Sequence, residues 1–103
     1  LDECLSLIED GDWAAYKYID FRDGVEKIKI TASSLAYGGK IEIRLGSPEG
    51  ELIGTCEISN TGDWKNWETF TAQVDNIKGV YSVYFVFKGG AGRLFNLRNF
   101  RFE

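Results

Sequence analysis

Hydrophobic alternation with a period of two, recurring between turn signals along the chain, constrains this sequence more than any other feature. In "VEKIKITA", Val25 to Ala32, it sets Ile28, Ile30 and Ala32 against Lys27, Lys29 and Thr31. "GKIEIRLGS" repeats the device, with Ile41, Ile43 and Leu45 on one side and Lys40, Glu42 and Arg44 on the other. No stretch holds a helical period for three turns. Further strands are expected in "WAAYKYIDF", "ELIGTCEIS", "WETFTAQV", "KGVYSVYFVFKGG" and "RLFNLRNFRFE", about seven or eight in all, and Pro48 falls with Gly46 and Gly50 in a hairpin turn. "VYSVYFVF" is apolar on both sides and reads as a central strand covered on both faces. "LFNLRNFRF" alternates less regularly, which a β-bulge explains. So many antiparallel strands do not stay in one flat sheet, so the fold class is all-β, a two-sheet β-sandwich of the jelly-roll type.

The 103 residues allow one core and one domain, 1–103, with no linker or internal repeat. The chain starts at Leu1 and reads as a piece excised from a larger protein, so a missing signal peptide carries no weight. A formal charge of −4 argues against nucleic acid as a partner, since phosphate binding needs Lys and Arg. No apolar run approaches the roughly 18 residues that span a bilayer, so no membrane partner is expected. Cys4 and Cys56 are expected as two buried free thiols, with a disulfide as the alternative.

The chain has no histidine, which removes a Ser–His–Asp triad, a Cys–His pair and a His-ligated zinc site. No catalytic residue is assigned. The densest acidic cluster, Glu9, Asp10 and Asp12, lies within four residues of one turn. A solvated turn is its plain reading, ahead of calcium ligation or catalysis. The aromatics carry more information. Phe21, Phe70, Phe85 and Phe100 take inward positions, whereas Trp13, Tyr37, Trp64 and Trp67 gather near turns. A sugar presents a face of C–H groups that packs on an indole, and its hydroxyls need planar donors and acceptors beside it. Strand alternation assigns Phe70, Ala72 and Val74 inward and puts Trp67 outward with Thr69 and Thr71. Trp67 is then the platform candidate, and Trp64 folds into the rim of the core.

The motifs I-x-x-G-D-W (Ile8 to Trp13), I-E-I-R-L-x-S-P-x-G-x-L-I-G (Ile41 to Gly54), T-G-x-W-x-x-W-x-T (Thr61 to Thr69), V-F-K-G-G and L-F-N-L follow one another in this order. In that combination the chain resembles the family 6 carbohydrate-binding modules from Ile8 to Phe102. The resemblance implies a β-jelly roll that binds glycan without cutting it, appended to a secreted glycoside hydrolase. Its glycan would be a plant polysaccharide, xylan or arabinoxylan first, and its location extracellular, periplasmic or cell-surface. It implies a site in loops at one end of the sandwich, where Trp67 matches one clamping aromatic and Asn96 the hydrogen-bonding amide.

Leu7 stands where the second clamping aromatic is expected. The resemblance further implies an alternative site on a concave sheet face, built on Trp13 with Glu42 and Arg44, although those two charges equally read as a surface pair. Structural calcium is usual in such modules, but Arg98 occupies the place of a carboxylate ligand and the N-terminal acidic strand is not in the chain. Neither a metal site nor a cofactor is therefore assigned. These departures leave a second functional expectation, a degenerate module that packs on the catalytic domain without binding sugar.

Overall fold

The computed structural model describes residues 4–103. Seven strands form, β1 (Trp13–Asp20), β2 (Lys27–Ser33), β3 (Gly39–Leu45), β4 (Glu51–Ile58), β5 (Glu68–Gln73), β6 (Val80–Lys88) and β7 (Asn96–Phe102). They pair antiparallel into a four-stranded sheet, β1-β6-β3-β4, and a three-stranded sheet, β5-β2-β7. The two sheets face each other as the expected all-β sandwich of jelly-roll type. β6 lies between β1 and β3 in its sheet, as expected, with Val83, Phe85 and Phe87 buried inward. The expected cover on both faces does not form, since the outer face of a two-layer sandwich has no layer over it and leaves Tyr84 partly and Val80 largely exposed.

The core follows from the alternation. Ile28, Ile30 and Ala32 of β2 are fully buried, and Ile41 and Ile43 of β3 and Val83 and Phe85 of β6 join them there. Phe85 meets Phe100 edge-on at 4.7 Å between ring centroids, and Phe21 meets Phe102 at 4.9 Å. Such tilted contacts suit the aromatic quadrupole and add to the burial term. Tyr16 also turns inward against Phe100, at 4.7 Å, and burial raises its pKa above the ordinary tyrosine value.

Two irregularities decide which side chains point where. Pairing of β2 with β7 jumps from Thr31↔Asn99 to Ala32↔Leu97, so Arg98 is the extra residue of a bulge. Residues on either side of it thereby both turn Phe100 and Leu97 toward the core despite their odd spacing. In β1 the register shifts between Tyr16 and Ile19, around Tyr18 with φ of 64°, and both Tyr16 and Ile19 face inward. Only the first of these bulges was signalled by sequence.

The cysteines differ from expectation. Cys56 is buried, but Cys4 is exposed, and both are free thiols. Cys56 lies inward on β4, whereas Cys4 precedes the isolated Leu5↔Leu97 bridge, outside the named strands. Burial, with Glu57 adding its charge, pushes the Cys56 thiol up to about 11.

Candidate functional site

Three loops gather at one end of the sandwich, namely residues 34–38 between β2 and β3, 59–67 between β4 and β5, and 89–95 between β6 and β7. Short polar links explain why they hold together. Ser34 and Thr61 are joined by the Thr61 amide donating to the Ser34 carbonyl at 2.8 Å and the Ser34 amide donating to Thr61 Oγ1 at 3.0 Å. The Ser34 hydroxyl donates to the Leu94 carbonyl at 2.7 Å, which ties in the third loop. Buried hydroxyls at 33 and 34 are thus satisfied by loop carbonyls. The segment before β1 joins through the Leu94 amide, which donates to the Ile8 carbonyl at 2.8 Å.

Glycine permits the closest approach in this cluster. Gly38 has φ of +78°, and a Cβ there would lie 2.0 Å from the Ile58 carbonyl oxygen. No other residue type fits without moving the backbone.

Trp64 is anchored by its own carbonyl, which accepts from Ser33 Oγ at 2.6 Å and from Asn96 Nδ2 at 3.4 Å. Its half-buried ring lies under the Arg93 guanidinium, whose central carbon is 3.9 Å from the ring centroid. Arg93 Nη2 donates to Asn96 Oδ1 at 2.9 Å. Asn96 is therefore only 6% exposed, with both amide ends engaged. Trp67 is half-buried just before β5, and the Arg98 guanidinium sits 5.2 Å from its ring centroid. Thr69 and Thr71 next to it are exposed, while Phe70 and Ala72 pack on the core. Leu7 is 71% exposed with φ of 58°, a left-handed conformation that is uncommon for leucine.

The structure thus brings Trp64 and Asn96 into direct contact and sets Trp67 on the same loop as Trp64. Arg93 joins them without any warning in the sequence, because the conformation of the Gly-rich segment before it, and not a period, aims its side chain. Arg98 was legible only as a missing carboxylate; its guanidinium lies over an indole instead.

Trp13, Glu42 and Arg44 fall on the outer face of the four-stranded sheet. Cross-strand register places Trp13 and Glu42 both opposite Val86, and Arg44 opposite Tyr84. Trp13 is 54% exposed and packs against Tyr84 at 5.6 Å. Arg44 is committed to its own fold, since Nε and Nη2 donate to Glu42 Oε1 at 3.2 and 3.1 Å and Nη1 donates to the Gly50 carbonyl at 2.8 Å.

The acidic turn is built from its own side chains. Asp12 Oδ2 accepts from the Glu9 amide at 2.9 Å, and Asp10 Oδ1 accepts from the Gly89 amide at 3.0 Å. Among the described residues no group of three or more Cys, Asp or Glu is gathered to hold a metal ion.

The loop end of the sandwich presents indoles beside an amide and guanidinium groups, the side-chain types that glycan recognition uses. The sequence matches the family model "Carbohydrate binding module (family 6)" over residues 2–103, and the chain belongs to that family. A family 6 carbohydrate-binding module from Clostridium cellulolyticum, solved in complex with xylose, superposes with a TM-score of 0.93 at 44% identity, over 95% of this chain and 76% of that one. A β-1,3-glucan-binding module of Bacillus halodurans gives 0.93 at 41% identity, over 97% and 75%. An arabinoxylan arabinofuranohydrolase of Bacillus subtilis (strain 168) is 40% identical over 100 residues, 95% of this chain and 19% of that enzyme. The chain thus spans less than a fifth of that relative's length, and it spans 15% of the Paenibacillus polymyxa relative of the same name.

Proposed function

We propose that this module holds a glycoside hydrolase on plant polysaccharide, with xylan or arabinoxylan as the glycan and the loop end as the binding site. The observation that carries this reading is the half-exposed Trp67 indole on the loop that Trp64, Ser33 and Asn96 pin to the sandwich. A pyranose face packs on Trp67, exposed polar groups beside it supply hydrogen bonds to the hydroxyls, and Asn96, whose amide ends are engaged by Trp64 and Arg93, acts by holding those two in place. Pinning the loops before ligand arrives lowers the ordering cost of binding. Tethering raises local substrate concentration, so an intrinsic affinity between about millimolar and micromolar, roughly 4 to 8 kcal/mol, is enough.

Relatives among xylanases and arabinofuranohydrolases support both the glycan class and an extracellular, periplasmic or cell-surface setting. The attached catalytic domain is part of this proposal, as is a further strand along the outer side of β7, where only Leu5 bridges it among the described residues. Isothermal titration with xylo-, arabinoxylo- and cello-oligosaccharides tests the reading. Binding that Trp67→Ala removes is expected; no heat with any glycan overturns it.

One observation favours a second reading. Leu7 offers no ring face and stands exposed. Without an opposing aromatic, the module would serve as a structural partner packed on the catalytic domain, in which case Trp67 becomes covered in the full-length protein.

A further inference from the structure

Arg93 differs from Arg44 and Arg101 in how its charge is met. Arg44 pairs with Glu42 at 3.1 Å and Arg101 with Glu103 at 2.5 Å. Arg93 is partly buried, yet among the described residues no carboxylate pairs with it; its only hydrogen bond is to the neutral Asn96 amide. A partly desolvated charge without a counter-charge is costly. Nε is buried with no partner, which adds the cost of an unmade hydrogen bond. Such a cost calls for an explanation, and Nη1 and Nη2, not the enclosed Nε, are the atoms that a ligand can reach.

The guanidinium carbon lies 3.9 Å from the Trp64 ring centroid, and Asn96 Oδ1 takes one of the two Nη2 protons. Among the described residues Nη1 makes no hydrogen bond, so it and the second Nη2 proton are the donors left at the end edge of the planar guanidinium. That edge matches the two oxygens of a carboxylate, the acceptor for which a planar fork is best suited. We propose that Arg93 makes the loop-end site selective for glycans bearing a uronate substituent, and that Asn96 is a positioning residue that aims Arg93. This rests on the glycan-binding reading above and adds the substituent that the site recognises. Because the chain carries a net charge of −4, long-range attraction of an acidic glycan is not available, so any preference has to be local.

Titration of the whole module with a linear xylo-oligosaccharide and with the same backbone carrying one glucuronic acid branch tests the proposal. The wild type should bind the acidic glycan about tenfold more tightly, and the advantage should shrink with added salt. Arg93→Gln should equalise the two glycans while still binding the neutral one, and Arg93→Lys, which keeps charge but loses the fork, should restore only part of the preference. Near-UV circular dichroism of each variant checks that the fold is kept. Lys40 and Lys88 are opposed in register on the neighbouring sheet and supply a second basic pair near Tyr37. A preference lost in Lys40→Gln/Lys88→Gln but kept in Arg93→Gln overturns the assignment to Arg93. Equal affinity of the wild type for both glycans overturns the uronate proposal and leaves the glycan-binding reading standing, whereas no binding of either overturns both.

Discussion

The loop end and the outer face of the four-stranded sheet contain the same kinds of side chain, and the structure uses them differently. Each has an exposed or half-exposed indole and a guanidinium. On the sheet face Arg44 satisfies Glu42 and the Gly50 carbonyl, so its donors are consumed by the fold. At the loop end Arg93 is held by one neutral amide and keeps donors unspent. The indoles differ likewise, because Trp13 leans on Tyr84 across a regular ladder, whereas Trp67 stands on a loop pinned by hydroxyls. A charged residue beside a tryptophan is therefore no sign of a site until its hydrogen bonds have been counted.

Substitutions can break this comparison in order of expected effect. Trp67→Ala should weaken xylo-oligosaccharide binding by at least about 30-fold, roughly 2 kcal/mol, in calorimetric titration. Unchanged affinity would move the site away from the loop end. Leu7→Tyr should act in the opposite direction and tighten binding by about tenfold, since it supplies a second ring where leucine offers only bulk. Asn96→Ala should lower both affinity and stability. It removes a donor to the Trp64 carbonyl and the acceptor for Arg93, a stability loss of about 1 to 3 kcal/mol in urea denaturation.

On the sheet face, Trp13→Ala and Arg44→Ala should each change affinity less than about twofold, and loss of the Glu42–Arg44 pair should cost about 1 kcal/mol of stability at most. The smallest effect concerns the thiols. At pH 8 a thiol reagent should modify exposed Cys4 alone, because Cys56 is buried and its thiol is pushed up to about 11. The raised value has a linkage consequence. Folding holds the Cys56 proton more tightly than the unfolded chain does, so this contribution to stability is full below the ordinary thiol pKa and is lost as pH rises from there toward about 11.

Strands were legible wherever one face is buried, because a period of two then records which side chains leave water. Ile28, Ile30, Ile41 and Ile43 all fall inward as alternation requires. The irregularity in "LFNLRNFRF" marked a real bulge at Arg98. Alternation says nothing about which strands pair, so the placement of β2 between β5 and β7 came only from the structure. The bulge at Tyr18 was illegible because Tyr16 and Ile19 each look reasonable on either face. Of the site residues, the sequence pointed to the tryptophans and Asn96 but gave no hint that Asn96 lies beneath Arg93. Side-chain direction in a Gly-rich loop depends on individual backbone angles and leaves no periodic trace.

The central claim is that glycan binds at the loop end and not on the sheet face, and the three tryptophans report on it directly. Their indole N–H signals can be followed by nitrogen-15 NMR while xylohexaose is added. The account predicts that the Trp67 signal shifts most, Trp64 follows and Trp13 stays in place. Movement of Trp13 with Trp64 and Trp67 unmoved would contradict it.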